Sequence, residues 1–210
     1  MVESLTTVVL ASNNPGKLRE FKAMFAETAI DIIPQGEFKV EDAIEDGLSF
    51  VENAIIKARH ASKATGLPAI ADDSGLEVDY LKGAPGIYSA RYSGEHGQDQ
   101  AHNQLVLTQM QGVTPEQRSA RFQCVLAFMR HYQDPTPLIC QASWDGRILE
   151  TERGNHGFGY DPIFWVPEYQ CSSAELSQQQ KNQLSHRGKA LTQLLSALSI
   201  KYPLWTKLHV

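Results

Sequence analysis

The sequence predicts an α/β fold built on a mixed β-sheet, and three observations carry that prediction. A short β-branched stretch, Leu5 to Ala11, passes through a polar, glycine-containing turn into a helical pattern. A second helix with its own start and stop signals feeds another apolar stretch at Ala69 to Ala71. The middle of the chain is rich in apolar runs of strand length, with helical segments on both sides of it. At 210 residues the chain suits one large domain or two small lobes sharing a cleft.

The elements follow in order. After the first strand comes Ser12-Asn13-Asn14-Pro15-Gly16-Lys17, a cluster of turn formers. From Lys17 the spacing of Leu18, Phe21 and Phe25 predicts a helix. Ser49 followed by Glu52 is a capping-box pattern that opens the second helix. Phe50, Ala54, Ile55, Ala58 and Ala61 form its apolar stripe, and Gly66-Leu67-Pro68 ends it. Ala69 to Ala71 reads as the end of a strand, delivering Asp72-Asp73-Ser74-Gly75 to the sheet's edge, and Gln98 to Met110 reads as a helix with Asp99 near its start. Arg121 to Arg130 and Leu138 to Trp144 read as strands, and Asp145-Gly146 before Arg147 to Glu152 reads as a hairpin turn. A glycine-aromatic loop follows over Gly154 to Tyr160, and Ser177 to Ser199 reads as helix with a break near Gly188.

Composition narrows the function classes. With 42% hydrophobic and 20% charged residues the chain reads as globular, and no apolar run reaches the roughly 18 residues of a membrane span. The opening MVESLTTVVLAS has an acid at Glu3 and no basic leader, unlike a signal peptide, so a cytoplasmic location is expected. A net charge of −5 argues against broad capture of nucleic acid or an acidic membrane. Cys124, Cys140 and Cys171 form neither a CxxC pair nor a His/Cys box, so structural zinc is not expected, and Cys124 and Cys140 read as small core residues.

Four segments can carry chemistry, each with a plainer reading beside it. Ser12 to Lys17 sits where a helix start and Lys17 would favour a phosphate, although an ordinary turn needs the same residue types and no Walker motif is present. Asp72 and Asp73 are adjacent carboxylates that a strand would point to opposite faces, one able to hold Mg²⁺ or activate water; an Asx turn is the alternative. Gly157 to Pro162 combines close backbone approach with an aromatic face for a base, against a tight turn of core aromatics; of the nearby rings Phe158, Tyr160 and Trp165, Phe158 is the favoured stacking face. Lys181, Ser185, His186 and Arg187 offer donors on a helix, where such residues are commonly solvent-facing. Two further groups are ambiguous: Glu45 and Asp46 lie in an acidic loop, and Lys57 reads as lying outside the apolar stripe of its helix.

The ordered succession ASNNPGKLREF, FVENAIIKA, ADDSGLEVDYLKGAPGIYSARYSG, GFGYDPIF and SHRGKAL closely resembles the inosine/xanthosine triphosphate pyrophosphatase family, in its bacterial form. The resemblance runs from about residue 5 to residue 199. It implies an elongated α/β fold with a long mixed sheet, and a single domain over 1–210 whose two lobes enclose a substrate cleft. It also implies a Mg²⁺-dependent, cytoplasmic homodimer that converts ITP, dITP and XTP to monophosphate and pyrophosphate, keeping them out of DNA and RNA. By the same resemblance Ser12, Asn13, Asn14, Pro15, Gly16 and Lys17 bind the triphosphate, and Lys57 and Ser74 contact substrate. Phe158, Gly159, Tyr160, Asp161, Lys181, His186 and Arg187 are implied on the nucleoside side. Asp73 is the implied catalytic base and metal ligand; Glu45, which keeps the position two before Gly47, is the second metal candidate, and the chain departs from the family at Ile44, where many members carry a further glutamate. Competing readings are a purine nucleotide sensor that does not hydrolyse, and a hydrolase of another small phosphate releasing orthophosphate.

Overall fold

The computed structural model describes residues 6–95 and 97–203. Its elements in chain order are β1 (Thr6–Leu10), α1 (Pro15–Phe25), β2 (Ile30–Pro34), α2 (Phe50–Thr65), β3 (Ala69–Val78), α3 (Asp99–Gln109), β4 (Ser119–Met129), β5 (Leu138–Ile148), β6 (Phe164–Val166), β7 (Cys171–Ser172), α4 (Gln178–Leu184) and α5 (His186–Lys201). The strands form a seven-stranded sheet in the order β2-β1-β3-β4-β5-β6-β7, parallel between β2, β1 and β3 and antiparallel between β5, β6 and β7. This is the expected mixed α/β sheet. Leu5, the first residue of the expected opening strand, lies outside the described residues.

The chain divides into two compact units. The first holds residues 6–73, 125–141 and 188–203 of the described chain, and the second holds 74–124 and 142–187, apart from His96. In the first unit β1 runs parallel to β2, with Thr6 opposite Ile30 and Leu10 opposite Pro34, and Val9 and Leu10 pair with Ala69 and Ile70 of β3. Ala54, Ala58 and Ala61 of α2 pack there on Val9, Ala11, Ala69, Ala71, Val125, Ala127 and Met129. Small side chains on both surfaces let helix and sheet approach closely, which brings the polar residues of the same faces together. In the second unit Leu76, Val78, Val106, Met110, Phe122, Trp144, Ile163 and Phe164 belong to one core cluster. Cys124 and Cys140 are buried, as expected of core residues, while Cys171 is half-buried. No described helix is long and apolar enough to cross a membrane.

Four boundaries differ from the sequence reading, each for a local reason. The first helix begins at Pro15 rather than Lys17, because the Asn14 side chain caps it by accepting from the N–H groups of Gly16 (2.8 Å) and Lys17 (3.1 Å). The stretch Asp72 to Gly75 is the middle of a ten-residue strand, not its end or an Asx turn. Asp145-Gly146 is no hairpin turn; β5 continues to Ile148, and Gly146 is there for close approach. A Cβ on it would lie 2.5 Å from Phe164 Cζ and 2.5 Å from the Trp165 carbonyl oxygen. The break in the last helical segment falls at Ser185, whose extended backbone (ψ 158°) separates α4 from α5, while Gly188 is helical.

Candidate active site

The first unit gathers one cluster of opposed charges around β3. Strand alternation places Asp73 on the face of Ala69 and Ala71, which packs on α2, and Asp72 on the opposite face. Each aspartate meets a lysine from a different helix. Lys17, three residues past the Asn14 cap, reaches Asp72: its ammonium lies 2.5 Å from Oδ1 and donates to the Asp72 carbonyl at 3.2 Å. Lys57 of α2 donates to Asp73 Oδ1 at 2.5 Å and lies 3.3 Å from Glu45 Oε1. Lys57 thus belongs to the buried face of its helix, correcting the expectation that it falls outside the stripe. It stands three residues after Ala54 and four before Ala61, which is helical register with both.

Burial sets the electrostatics of this cluster. The Asp73 and Lys57 side chains are 8% and 11% exposed. Desolvation pushes the Asp73 carboxyl above the ordinary aspartate value, outweighing the attraction of Lys57 and Lys17, and Glu45 pushes the same way. Desolvation works against the Lys57 charge, yet Asp73, Glu45 and Asp72 together hold its ammonium above the ordinary lysine value. Asp73 Oδ2 is buried with no hydrogen-bond partner. A buried carboxylate oxygen so placed has room in its chemistry for a water proton or a hard cation. Mg²⁺ is usually bound by one or two carboxylates together with substrate phosphates, so Asp73 with Glu45 fits that ion. Among the described residues no group of three or more His, Cys, Asp or Glu could hold a metal without such help.

The loop Ser12 to Lys17 is internally braced. Ser12 Oγ accepts from the Asn14 N–H (3.1 Å), and Asn13 Nδ2 donates to Asp42 Oδ1 (3.3 Å), which also accepts from Gln35 Nε2. Because Asn14 already takes the Gly16 and Lys17 N–H groups, the anion-attracting charge here comes from Lys17 and Lys57 rather than from those donors.

The second unit assembles an aromatic platform edged with donors. Phe158 is half-buried, with Lys181 Nζ 4.7 Å from its ring centre and the Arg187 guanidinium 5.6 Å from it. Asp161 organises the loop: its Oδ2 accepts from the Phe158 N–H (2.9 Å) and from Lys181 (2.5 Å), and its Oδ1 accepts from Ser173 (2.8 Å). Gly157 is required beside it, since a Cβ there would lie 2.0 Å from Asp161 Oδ2 and φ is +82°. His186 stacks on Phe122, with ring centres 4.7 Å apart, and Arg187 Nη2 donates to Ser74 Oγ at 2.9 Å. His186 and Arg187 are both buried, not solvent-facing.

Two aromatic candidates drop out as stacking faces. Tyr160 is a core residue whose hydroxyl donates to the Ser89 carbonyl at 2.7 Å, so burial pushes its phenol up and its ring is packed away. Trp165 belongs to β6, where it pairs with Arg147 and Ser172, and its ring is covered by Arg153, 5.4 Å from guanidinium to ring centre. Phe158 remains. Sequence reasoning missed Asp99 and Asn103 of α3, which bond the backbone of Gly159 at 2.7 and 3.1 Å, and Phe122 beneath His186. An acidic residue at the helix start was the only local sign of the first, and no local signal marks the others.

Comparison with known proteins places the chain in a family. A family model described as the Ham1 family matches residues 8–197. A relative from Photobacterium profundum named dITP/XTP pyrophosphatase is 57% identical over 194 residues, covering 92% of this chain and 98% of its own. One of the same name from Vibrio cholerae is 59% identical over 191 residues, covering 91% and 96%. A solved Ham1 protein structure from Coxiella burnetii superposes with a TM-score of 0.86 at 51% identity, over 93% of this chain and 99% of that one. The Staphylococcus aureus Ham1 protein gives 0.82 at 41% identity, over 93% and 100%. With the family match spanning nearly all of the described residues and relatives this similar over their full length, the chain belongs to the Ham1 family.

Proposed function

We propose that this protein is a nucleoside-triphosphate pyrophosphatase that hydrolyses ITP, dITP and XTP to the monophosphate and pyrophosphate, so removing nonstandard purines from the nucleotide pool. The observation that carries this reading is Asp73: a buried carboxylate with one oxygen on Lys57, the other without a partner, and a proton affinity raised by burial. The dITP/XTP pyrophosphatase names of the relatives support the choice of substrate.

In the reaction, water attacks the α-phosphorus and the bond to the β-phosphate oxygen breaks, releasing pyrophosphate. Asp73 Oδ2 orients the attacking water and accepts its proton. Lys57 and Lys17 hold the polyphosphate charge as it builds up. Asp73 and Glu45 would hold magnesium, and that ion, when bound, supplies neutralising charge for the phosphate oxygens. No covalent nucleophile is needed, so the three cysteines take no part.

The base would stack on Phe158, with Lys181, His186 and Arg187 as donors. Hypoxanthine and xanthine present an oxygen at position 6 and an N1–H, whereas adenine presents an amino group and a bare N1. Arg187 can only donate, so adenine would meet it donor to donor. An unsatisfied buried polar group costs about 1–3 kcal/mol, so two mismatches give roughly 10²- to 10⁴-fold preference over ATP. The family resemblance further leads us to expect a cytoplasmic homodimer with no nucleic acid or membrane partner; light scattering in solution gives the subunit number.

The test is a panel of ITP, dITP, XTP, GTP and ATP with Mg²⁺, with pyrophosphate and orthophosphate measured separately. Pyrophosphate from the nonstandard purines supports the reading, while orthophosphate, or binding with no turnover, defeats it. Asp73→Asn should nearly abolish turnover while ITP binding stays within about tenfold, or about 1.4 kcal/mol. Full turnover by that variant removes Asp73 from the chemistry.

A further inference from the structure

We infer that Asp99 and Asn103 of α3 are positioning residues for base recognition: together they clamp the backbone of Gly159 and so set where the Phe158 ring stands. The inference rests on the reading that a purine stacks on Phe158.

The geometry is specific. Asp99 and Asn103 are four residues apart on one helix and so share a face. Asp99 Oδ2 accepts from the Gly159 N–H at 2.7 Å, and Asn103 Nδ2 donates to the Gly159 carbonyl at 3.1 Å. Both backbone polar groups of one loop residue are therefore held by one helix. Gly159 has φ +61°, and a Cβ on it would meet nothing within 4 Å. Its glycine serves a left-handed backbone rather than a lack of space, and that conformation is what the clamp holds.

The clamp acts on Phe158 through covalent connection. The peptide following Phe158 is held by Asp99, and the Phe158 N–H is held by Asp161 at 2.9 Å. With the peptides on both sides fixed, the direction of the Cα–Cβ bond, and hence the station of the ring, is fixed as well. The helix supplying the clamp is itself anchored. His102, buried between the two clamp residues, contacts the Ala90 carbonyl through Nε2 (3.1 Å) and the Ser93 hydroxyl through Nδ1 (2.7 Å).

A second observation separates this role from ordinary packing. Asn103 is 2% exposed, yet its Oδ1 is buried without a hydrogen-bond partner. An apolar side chain would fill that helical position without leaving an acceptor unsatisfied. Asparagine there is explained by the one thing leucine lacks, the donor to Gly159.

The experiment compares Asp99→Ala, Asp99→Asn, Asn103→Leu and Phe158→Ala, with the double variants, in the Mg²⁺-loaded full chain. Asp99→Ala and Asn103→Leu should each raise KM for ITP by about tenfold, with kcat within about threefold, because a displaced platform weakens base binding without touching the reacting atoms. Both should weaken IMP binding by a similar factor and leave inorganic pyrophosphate binding unchanged. Asp99→Asn, which keeps an acceptor oxygen, should restore wild-type KM. On a Phe158→Ala background neither change should cost more, since the residues act through the missing ring. Asp99 is solvent-exposed, so its variants stay informative if Asn103→Leu fails to fold. Unchanged KM in Asp99→Ala alongside a raised KM in Phe158→Ala, or losses that simply add, would overturn the clamp. An unchanged KM in Phe158→Ala itself would instead sink the stacking reading, and the clamp with it.

Discussion

Replacing Lys57 with methionine tests whether the charge cluster on β3 is held together as described. The variant keeps most of the side chain's volume and removes the ammonium that lies 2.5 Å from Asp73 Oδ1 and 3.3 Å from Glu45 Oε1. At an effective dielectric constant near 20, those separations correspond to gross attractions of about 7 and 5 kcal/mol, most of which offsets the desolvation of the same groups. The quantity a mutation reads is smaller. Leaving one partner of a buried pair uncompensated costs about 3–5 kcal/mol, or roughly 6–20 °C in Tm for a chain of this size.

The pH dependence has a definite sign. Desolvation already holds the Asp73 carboxyl above its ordinary value in the native protein, and losing Lys57 moves it further up. A raised acid binds its proton more tightly folded than unfolded, so stability falls as pH rises from the ordinary aspartate value through the raised one. The deficit of Lys57→Met should therefore be larger at about pH 8 than at about pH 5, which is nearer the ordinary aspartate value and so favours the protonated, uncharged carboxyl more. Adding Asp73→Asn to Lys57→Met turns the pair neutral and should recover most of the loss. Differential scanning fluorimetry of both single variants and the double, at the two pH values, makes a complete cycle. If the double variant is no more stable than Lys57→Met, the two residues are not coupled and the account of the cluster is wrong.

Three further outcomes follow. Arg187→Lys keeps a positive charge but loses the planar fork, so the ITP-over-ATP ratio of kcat/KM should shrink by about tenfold; an equal loss on both substrates would make Arg187 a phosphate clamp. Gly146→Ala should destabilise by about 1–3 kcal/mol in urea melts, because the added methyl meets Phe164 and the Trp165 carbonyl at 2.5 Å; an unchanged midpoint would return Gly146 to the status of a turn residue. Arg130 and backbone N–H groups hold the Asp134 carboxyl well below the ordinary carboxylate range, and this stabilisation exists above the unfolded value near pH 4 and is lost as pH falls through the folded one. Asp134→Asn should thus lower Tm at neutral pH by a few degrees and converge with the wild type in acid.

What the sequence made legible was local. The cap at Ser49 and the stop at Gly66 mark α2 within a residue, because a hydroxyl accepting from the Glu52 N–H and a glycine at φ +72° act over a single turn. The errors share the opposite cause. Asp145-Gly146 has hairpin composition, but Phe164, 18 residues further on, decides what that glycine is for. Asp72-Asp73 has turn composition, but each charge is accepted mid-strand because Lys17 and Lys57, 55 and 16 residues away, meet it. Motif order singled out residues that the structure gathers into two clusters, Asp73 with Lys57 and Glu45, and Phe158 with Lys181 and Arg187, which spacing alone did not join. The contacts on Gly159 and the Phe122 ring beneath His186 lay outside both, because those residues become meaningful once the chain is folded.

The placement of two acids in one strand also bears on how the substrate arrives. An edge or turn would let water screen both carboxylates, whereas mid-strand they are buried, and alternation spares them direct repulsion by sending them to opposite faces. Each then needs its own counter-charge, and two helices supply one lysine apiece. Glu45 adds a third carboxylate, set against Lys57, so three carboxylates face two ammonium groups and Asp73 Oδ2 has no hydrogen-bond partner. A bare polyphosphate would meet repulsion there, and a divalent cation alone would have to compete with Lys57 for Asp73. The two together answer each other's charge. On the proposed function, the cluster therefore suits a metal-loaded triphosphate better than either component, with Lys57 as the cation that holds Asp73 and Glu45 together.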